Sequence, residues 1–572
     1  MTDAKSGRLF VPAQLNVAEW SDVEPLMLAL LHEPLTSASS LEAWLARFSE
    51  LSSVIDEYGS RLYINKSCHT DDAAIEKAYM HFVENIEPKL KPLYFELQKK
   101  YVASPYRTAL TGTRYDMLTR KWQADVETFR VENVPLETDV TRLVNDYDKI
   151  SGAMTVDFDG KTLTMPQLGR VQEETDRARR QAAFEAGAKR RMSERDKIEV
   201  IFDKLLPLRQ QIAHNAGLGD YRAYTWKSLK RFDYTPDDCH AFAEAIEKSI
   251  VPVVKELDRQ RKNDLGVDTL RPWDLAVDPK NRAPLRPFAE TEIDAFVSTT
   301  RMLFDRLSPA LANEFESLRT HGNLDLESRK GKQPGGYQMS LEESKQPFIF
   351  MNAAGTQRDV ETLLHEAGHA FHFIASANAE PLSFLRAAPM EFCEVASMAM
   401  EALGSEHFDL YYANPDEAAR AKRTYLEGVI RFFPWMATID QFQHWLYTHP
   451  GHSQSQRTAH WLSLLERFGS IIDYSGYEDV RASSWQRQLH LFHAPFYYVE
   501  YGIAQIGALQ LWRKASEDPQ RALSNYRAAL KLGGTRPLPE LFTTAGLRFD
   551  FSMTTIEPLM HAVHEELAAL PA

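Results

Sequence analysis

Cysteine is scarce: three in 572 residues, Cys68, Cys239 and Cys393, far apart in the chain. They build neither a disulfide framework nor a Cys-x-x-Cys metal motif, and a reducing cytoplasm is the expected location. The Cys-His neighbours at 68–69 and 239–240 read as incidental. Long apolar runs are missing too. None reaches the roughly 18 residues of a membrane-spanning helix, and Met1 to Arg8 leads into no apolar stretch of the kind that opens a secretory leader. Positive charge is in deficit, with 66 Lys and Arg against 80 Asp and Glu, a net charge of −14. A surface of that sign disfavours nucleic acid and acidic membranes as partners. No internal repeat or low-complexity tract stands out.

What is present is length and helix. A chain of 572 residues can bury a large core and should divide into more than one unit. Apolar residues recur at spacings of three and four, with charged faces between, over 40–60, 71–101 and 116–150. From Pro166 a long charged pattern reaches Asn215-Ala216-Gly217, a helix stop, and its Lys/Arg run, interleaved with Glu, reads as a solvated face. Further helices are expected at 236–263, 289–311, 416–447, 493–514, 518–532 and 554–569. Asp159-Gly160 lies between alternating Val, Phe, Leu and Thr, a hairpin signal; other strands cluster around 320–352. The pattern predicts a mainly α protein with a small β-sheet, an N-terminal helical lobe over 1–155 and a catalytic lobe over 156–572.

The chemistry is concentrated in Thr362-Leu363-Leu364-His365-Glu366-Ala367-Gly368-His369-Ala370-Phe371-His372, a His-Glu-x-x-His inside an apolar helical pattern. At 3.6 residues per turn, His365 and His369 stack on one helix face. Two neutral imidazoles so placed can bind one Zn²⁺ at about 2.0–2.1 Å. Glu366 is turned roughly 100° away, poorly placed as a ligand but able to take a proton from a water beside the metal. Two ligands and a general base within five residues are the parts of a zinc hydrolase. Upstream, Gln346 to Asn352 is a short apolar run closed by Ala353-Ala354-Gly355, and Thr356 or Asp359 can cap the helix that follows. An edge strand near Phe348–Asn352 is expected to pair with a substrate backbone. Gly368 costs about 1 kcal/mol relative to Ala, tolerable where another element must approach closely. The Gly-rich stretch Lys330 to Tyr337 lacks the phosphate-loop pattern and reads as a flexible loop beside a cleft, with Gly335 and Gly336 admitting a backbone.

A catalytic zinc needs a third protein ligand and an open position. A His-x-x-Gly-x-x-His continuation fails, because His372 and Ala375 stand where Gly and His belong. A Glu-x-x-x-Asp segment fails because Met398 stands four residues after Glu394. The remaining candidates lie on Pro389 to Glu401, among Phe, Val, Ala and Met. Buried carboxylates are rare unless paired or metal-bound. Glu394 is taken as the third ligand and Glu391, one turn earlier, as the partner that orients a ligand imidazole. Pairing with an arginine such as Arg386 is the competing reading. Further on, His490-Leu491-Phe492-His493-Ala494-Pro495-Phe496-Tyr497-Tyr498-Val499-Glu500-Tyr501-Gly502 offers imidazole and phenol donors. Such groups, preorganised, stabilise the charge on a carbonyl oxygen during hydrolysis by several kcal/mol. Tyr497 and Tyr501 are four apart and Tyr498 and Tyr501 three apart, so either pair can share a helical face; an aromatic core is the alternative.

His365-Glu-x-Gly-His-x-x-His372 followed by Glu391-Phe-Cys-Glu-Val-Ala-Ser397 resembles the thimet oligopeptidase and oligoendopeptidase F family of zinc metallopeptidases. Asp325 to Tyr337 is similar to a segment of the oligoendopeptidase F branch, and His490 to Gly502 to the family's C-terminal His and Tyr cluster. The resemblance implies a two-lobed helical fold of zincin type, split by a deep central channel, and cleavage of short peptides. It favours His490 over His493 as an oxyanion donor and leaves open which of Tyr497, Tyr498 and Tyr501 assists.

The expectation is a cytoplasmic zinc endopeptidase for short peptides, with Zn²⁺ on His365, His369 and Glu394. Glu366 serves as base and then acid, and His490 with one or two of the tyrosines steadies the oxyanion. No nucleic acid or membrane partner is expected. The rivals are an exopeptidase on the same scaffold and a helical binding protein with a structural zinc. The latter would normally have four ligands, usually including Cys, and only Cys393 is close in sequence.

Overall fold

The computed structural model describes residues 8–571 apart from 330 and 334. The expectation about a leader therefore falls largely outside the described residues, and the Lys330–Tyr337 loop is described in part. Helices dominate. Helix α1 (Ala38–Cys68) opens with a reciprocal cap between Ser37 and Ser40 and buries Leu41, Trp44, Phe48 and Leu51. These pack with Met27, Leu97, Tyr101 and Trp122 in a core completed by Leu382 and Leu385 from far along the chain. A second, larger core runs from Tyr147 to Leu567. Asp159 and Gly160, at φ 51° and 73°, join β1 (Thr155–Phe158) to β2 (Lys161–Thr164) as an antiparallel hairpin.

Several expected helices are divided, and proline explains the breaks. The 71–101 pattern becomes Ala73–His81 and Glu87–Ala103, joined by a π-helical turn at Phe82–Ile86. Pro88 has no N–H to continue the ladder. The 116–150 pattern parts into Thr113–Thr128 and Asn133–Gly152, with Pro135 in the first turn of the second piece. Likewise 236–263 becomes α2 (Pro236–Ser249) and Val251–Asp264, with Pro252 at the restart. The 289–311 pattern breaks before Pro309.

Strands β3 (Leu324–Glu327), β4 (Tyr337–Leu341) and β5 (Gln346–Ala353) form a sheet of order β3-β5-β4, parallel between β3 and β5 and antiparallel between β5 and β4. Phe348–Asn352, expected as the strand that meets substrate, thus lies in the central strand with both edges in use. Its unbroken apolar run is what a strand covered on all sides requires. The sheet edge nearest the motif helix is instead β4, whose Tyr337 to Leu341 pair with Phe350 to Gln346.

Helix α3 (Gln357–Ala379) carries the motif. Thr356 caps it and Asp359 reciprocates, so both expected capping residues act together; Asp359 Oδ2 accepts from the Ala354 N–H at 2.9 Å and the Thr356 N–H at 2.8 Å. Helix α4 (Met390–Gly404) crosses α3 at Gly368. A Cβ on Gly368 would lie 2.4 Å from the Ala396 carbonyl oxygen and 2.6 Å from Ser397 Cα, so only glycine permits this approach. Behind them run α5 (Pro415–Thr448) and α6 (Tyr498–Glu517). The Tyr526 hydroxyl donates to Ala396 O at 2.8 Å and fixes the crossing point from behind.

Candidate metal centre and cleft

The Nε2 atoms of His365 and His369, one helical turn apart on α3, lie 3.2 Å from each other. From α4, Glu394 Oε2 lies 3.4 Å from His365 Nε2 and 3.6 Å from His369 Nε2. A tetrahedral Zn²⁺ at about 2.0–2.1 Å from each donor would space them by roughly 3.3 Å. The three atoms therefore fit such an ion while leaving a fourth position open. His372, one turn past His369, is not among the donors that converge.

Each donor is held from behind. Glu394 is 3% exposed; Ser397 Oγ donates to its Oε2 at 3.1 Å and the Tyr497 hydroxyl to its Oε1 at 2.8 Å. His365 Nδ1 meets Glu401 Oε1 at 2.6 Å, which sets the ring and leaves Nε2 for a cation. Glu391 does not take the orienting role expected of it. It accepts from the Tyr234 hydroxyl at 2.6 Å and faces Arg231 at 3.9 Å, while Arg386 pairs with Glu342 at 2.7 Å. Helix phase explains the substitution: seven residues bring Glu401 within about 20° of Glu394, whereas three leave Glu391 roughly 60° round. That spacing was the available signal, and the sequence reading missed it.

Electrostatics favour a cation here. Burial depresses the His365 imidazole, but the bond to Glu401 and the charges of Glu401, Glu394 and Glu366 outweigh it and lift the group to about 9. Burial and the neighbouring His365 push His369 down. The carboxylates that hold a proton on His365 would equally favour a divalent ion in its place. Glu366 is 7% exposed, and burial, opposed by His365, lifts its carboxyl to about 7. The Gln338 backbone of β4 works against that rise, which sets the sheet edge beside this carboxylate.

The His490 ring sits 6.1, 4.9 and 5.9 Å, centroid to centroid, from those of Tyr497, Tyr498 and Tyr501. His493 is placed elsewhere, its Nε2 2.7 Å from Asp148. Trp435 Nε1 donates to Gln488 Oε1 at 3.1 Å, which turns the Gln488 amide so that its Nε2 donates to His490 Nδ1 at 2.8 Å. The proton of a neutral His490 then belongs on Nε2. Burial lowers this imidazole to about 4, so the neutral form holds near neutrality. Tyr497 enters the cluster through Phe496, a buried residue at φ 67°. Gln443 Oε1 accepts from the Phe496 N–H at 3.0 Å and Arg231 donates to its carbonyl. A bulky residue in that region costs roughly 1–3 kcal/mol and persists only where its surroundings over-determine it.

Two charged side chains mark a recess. Asp56 on α1 and Arg358 at the start of α3 are open to solvent, the Arg358 side chain 79% exposed. Both nonetheless bear a desolvation cost from surrounding protein, which with the Glu342 charge pushes Asp56 up to about 7. Groups that touch water yet are walled by protein belong to the inside of a cleft.

Residues 170–560 match the family model for peptidase family M3, and residues 10–129 match the Peptidase M3 N-terminal domain. The chain belongs to peptidase family M3, a family of peptide-bond hydrolases. Among solved structures it is similar to PZ peptidase A with inhibitor 2, at 26% identity and a TM-score of 0.89, with 99% of each chain covered. It is also similar to an oligoendopeptidase F homolog of Borreliella burgdorferi, 24% identical over 313 residues, 53% of this chain and 50% of that protein. Oligopeptidase PepF of Bacillus subtilis is 23% identical over 321 residues, 54% of this chain and 45% of that protein. The chain spans about half the length of the curated relatives it matches. The resemblance drawn from the motifs, and the helical fold it implied, agree with these matches.

Proposed function

We propose that this protein is a zinc-dependent oligoendopeptidase that hydrolyses internal bonds of short, unstructured peptides in the cytoplasm. The observation that carries this reading is the donor triangle of His365, His369 and Glu394, with sides of 3.2, 3.4 and 3.6 Å, next to Glu366. These three residues would hold Zn²⁺, which when bound polarises a water and the scissile carbonyl. The chain's own groups do the rest. The edge of β4 near Gln338 receives the extended substrate backbone and sets it beside Glu366. Glu366 takes the proton of the attacking water on a carboxylate oxygen and returns it to the leaving amine. His490, through its Nε2–H, and the hydroxyl of Tyr498 or Tyr501 donate to the carbonyl oxygen as it gains charge. Tyr497 holds Glu394. The N-terminal helical lobe, 1–155, and the catalytic lobe, 156–572, wall the cleft, so a peptide enters and a folded domain does not without local unfolding. The negative net charge, and the lack among the described residues of a helix long and apolar enough to cross a membrane, support peptides rather than nucleic acid or membrane as partners.

The test is a terminally blocked peptide of about ten residues, roughly 33 Å when extended. It is incubated with zinc-quantified protein beside its unblocked twin and a stable globular protein. Internal cleavage of the blocked peptide supports the proposal. Trimming of the unblocked peptide alone would make the protein an exopeptidase. Bound zinc without cleavage would make it a binding protein, and equal attack on the globular protein would sink the cleft argument.

A further inference from the structure

We infer that the protein has a second metal site, formed by Cys239, Asp440 and His444, with the donor set of Zn²⁺ or a similar thiolate-binding transition metal. None of these residues takes part in the hydrolysis proposed above. Asp440 and His444 are four apart on α5, so one helix face presents both, with Oδ2 3.4 Å from Nε2. Cys239 comes from the packed helix α2, and the ligand atoms of all three lie within 4.8 Å of one another. The side chains are 1%, 2% and 2% exposed.

The second observation is what these groups lack. Among the described residues, neither ring nitrogen of His444 has a hydrogen-bond partner, and Asp440 Oδ1 has none either. A neutral imidazole carries one donor and one acceptor, and leaving both unmet in the interior, under a carboxylate with a spare oxygen, is costly. One cation would take a ring nitrogen and the carboxylate together, leaving a single ring N–H unmet. Sulfur, nitrogen and oxygen donors on a tetrahedron are a zinc set, with bonds of about 2.3 Å to sulfur and about 2.0–2.1 Å to the others. Such bonds space the donors by roughly 3.5 Å, the separation at which Asp440 and His444 already stand, so loading asks only Cys239 to adjust.

Charge closes as well. A thiolate, a carboxylate and a divalent ion sum to zero, which lets the group stay buried. The neighbouring Arg231 is already balanced by Glu500 at 2.7 Å and Glu391 at 3.9 Å. His240, next on α2, is turned roughly 100° from Cys239 and is not among the donors that converge, so the protein supplies three ligands. Its Nδ1 donates to Gln441 Oε1 at 2.7 Å, and its ring lies 4.6 Å from that of His444. On binding, the Cys239 S–H bond breaks, its proton passes to solvent, and the freed sulfur lone pair forms the metal bond.

Because the site is buried, metal is supplied while the chain folds, by expressing the full-length protein in zinc- or cobalt-supplemented medium. The variant carrying His365→Ala and His369→Ala removes the first site, so the experiment does not depend on peptidase activity. That variant should retain about one zinc equivalent, against about two in the wild type. Grown on cobalt, it should show a near-ultraviolet thiolate-to-cobalt charge-transfer band, which Cys239→Ser in the same background abolishes. A chain without the first site that holds no metal overturns the proposal. So does bound cobalt without a thiolate band, or a band that survives Cys239→Ser. If the serine variant fails to fold, metal content and the band in the parent variant decide by themselves.

Discussion

Glu401 Oε1 lies 2.6 Å from Nδ1 of His365 and clamps the imidazole through the nitrogen that faces away from the metal position. Glu401→Ala should weaken zinc binding by about 10–100-fold, the usual cost of losing an orienting partner. Glu391→Ala should leave zinc affinity near wild type and lower the melting temperature instead, because Tyr234 and Arg231 lose a buried acceptor. Zinc titration against a chelator, with a melting curve for each variant, ranks the two. The reverse ranking would return the orienting role to Glu391.

Glu366→Gln should keep its zinc and lose most of its turnover, by about 10²–10⁴-fold, since the amide is nearly the same shape but cannot take a proton. Wild-type kcat from a fully loaded variant would remove Glu366 from the mechanism.

Gly368→Ala drives a methyl group to 2.4 Å from the Ala396 carbonyl oxygen and forces α3 from α4. Overpacking of this kind costs about 1–3 kcal/mol, and zinc affinity should fall with stability because the same crossing brings Glu394 to the histidines. Gly428→Ala on α5, where the new carbon meets nothing within 4 Å among the described residues, is the control and should be neutral or stabilising. Equal behaviour of the two variants would mean that the crossing tolerates a gap.

The aromatic cluster divides by role. Tyr497→Phe removes the hydrogen bond to Glu394 and should reduce both zinc retention and turnover. His490→Ala and Tyr501→Phe should keep the metal and lower kcat, by up to about 10²–10³-fold for an oxyanion donor. Metal analysis beside steady-state kinetics separates the groups, and a full-rate Tyr501→Phe would leave the assisting hydroxyl to Tyr498.

Stability should fall on mild acidification. His460 stacks on Trp445, ring centroids 4.5 Å apart, and burial with the charge of His449 lowers its imidazole from 6.5 to about 4. A depressed imidazole favours the native state only while neutral, so its contribution is whole above pH 6.5 and is lost as the pH drops toward 4. His460→Phe keeps the stack and should flatten part of the slope of Tm against pH in that window. An unchanged slope would clear His460 of the effect.

The peptidase signature was legible because it is local. Four residues of one helix stack His365 on His369, Thr356 and Asp359 cap that helix by their own spacing, and Asp159-Gly160 turns a hairpin without outside help. Gly368 announced a close approach, though not of what. The structure then decided matters that depend on where helices cross and strands pair. Glu401 rather than Glu391 meets His365, because the rotation of α4 against α3 selects the carboxylate. The sheet edge nearest α3 belongs to β4, because β5 is paired on both sides. His490 rather than His493 joins the tyrosines, because the chain bends through Phe496 under the hold of Gln443 and Arg231. Cys239 meets Asp440 and His444 across some 200 positions of sequence, a distance over which spacing carries no signal. Sequence alone determined what consecutive residues share through helix and turn geometry; packing of distant elements decided which polar groups face one another.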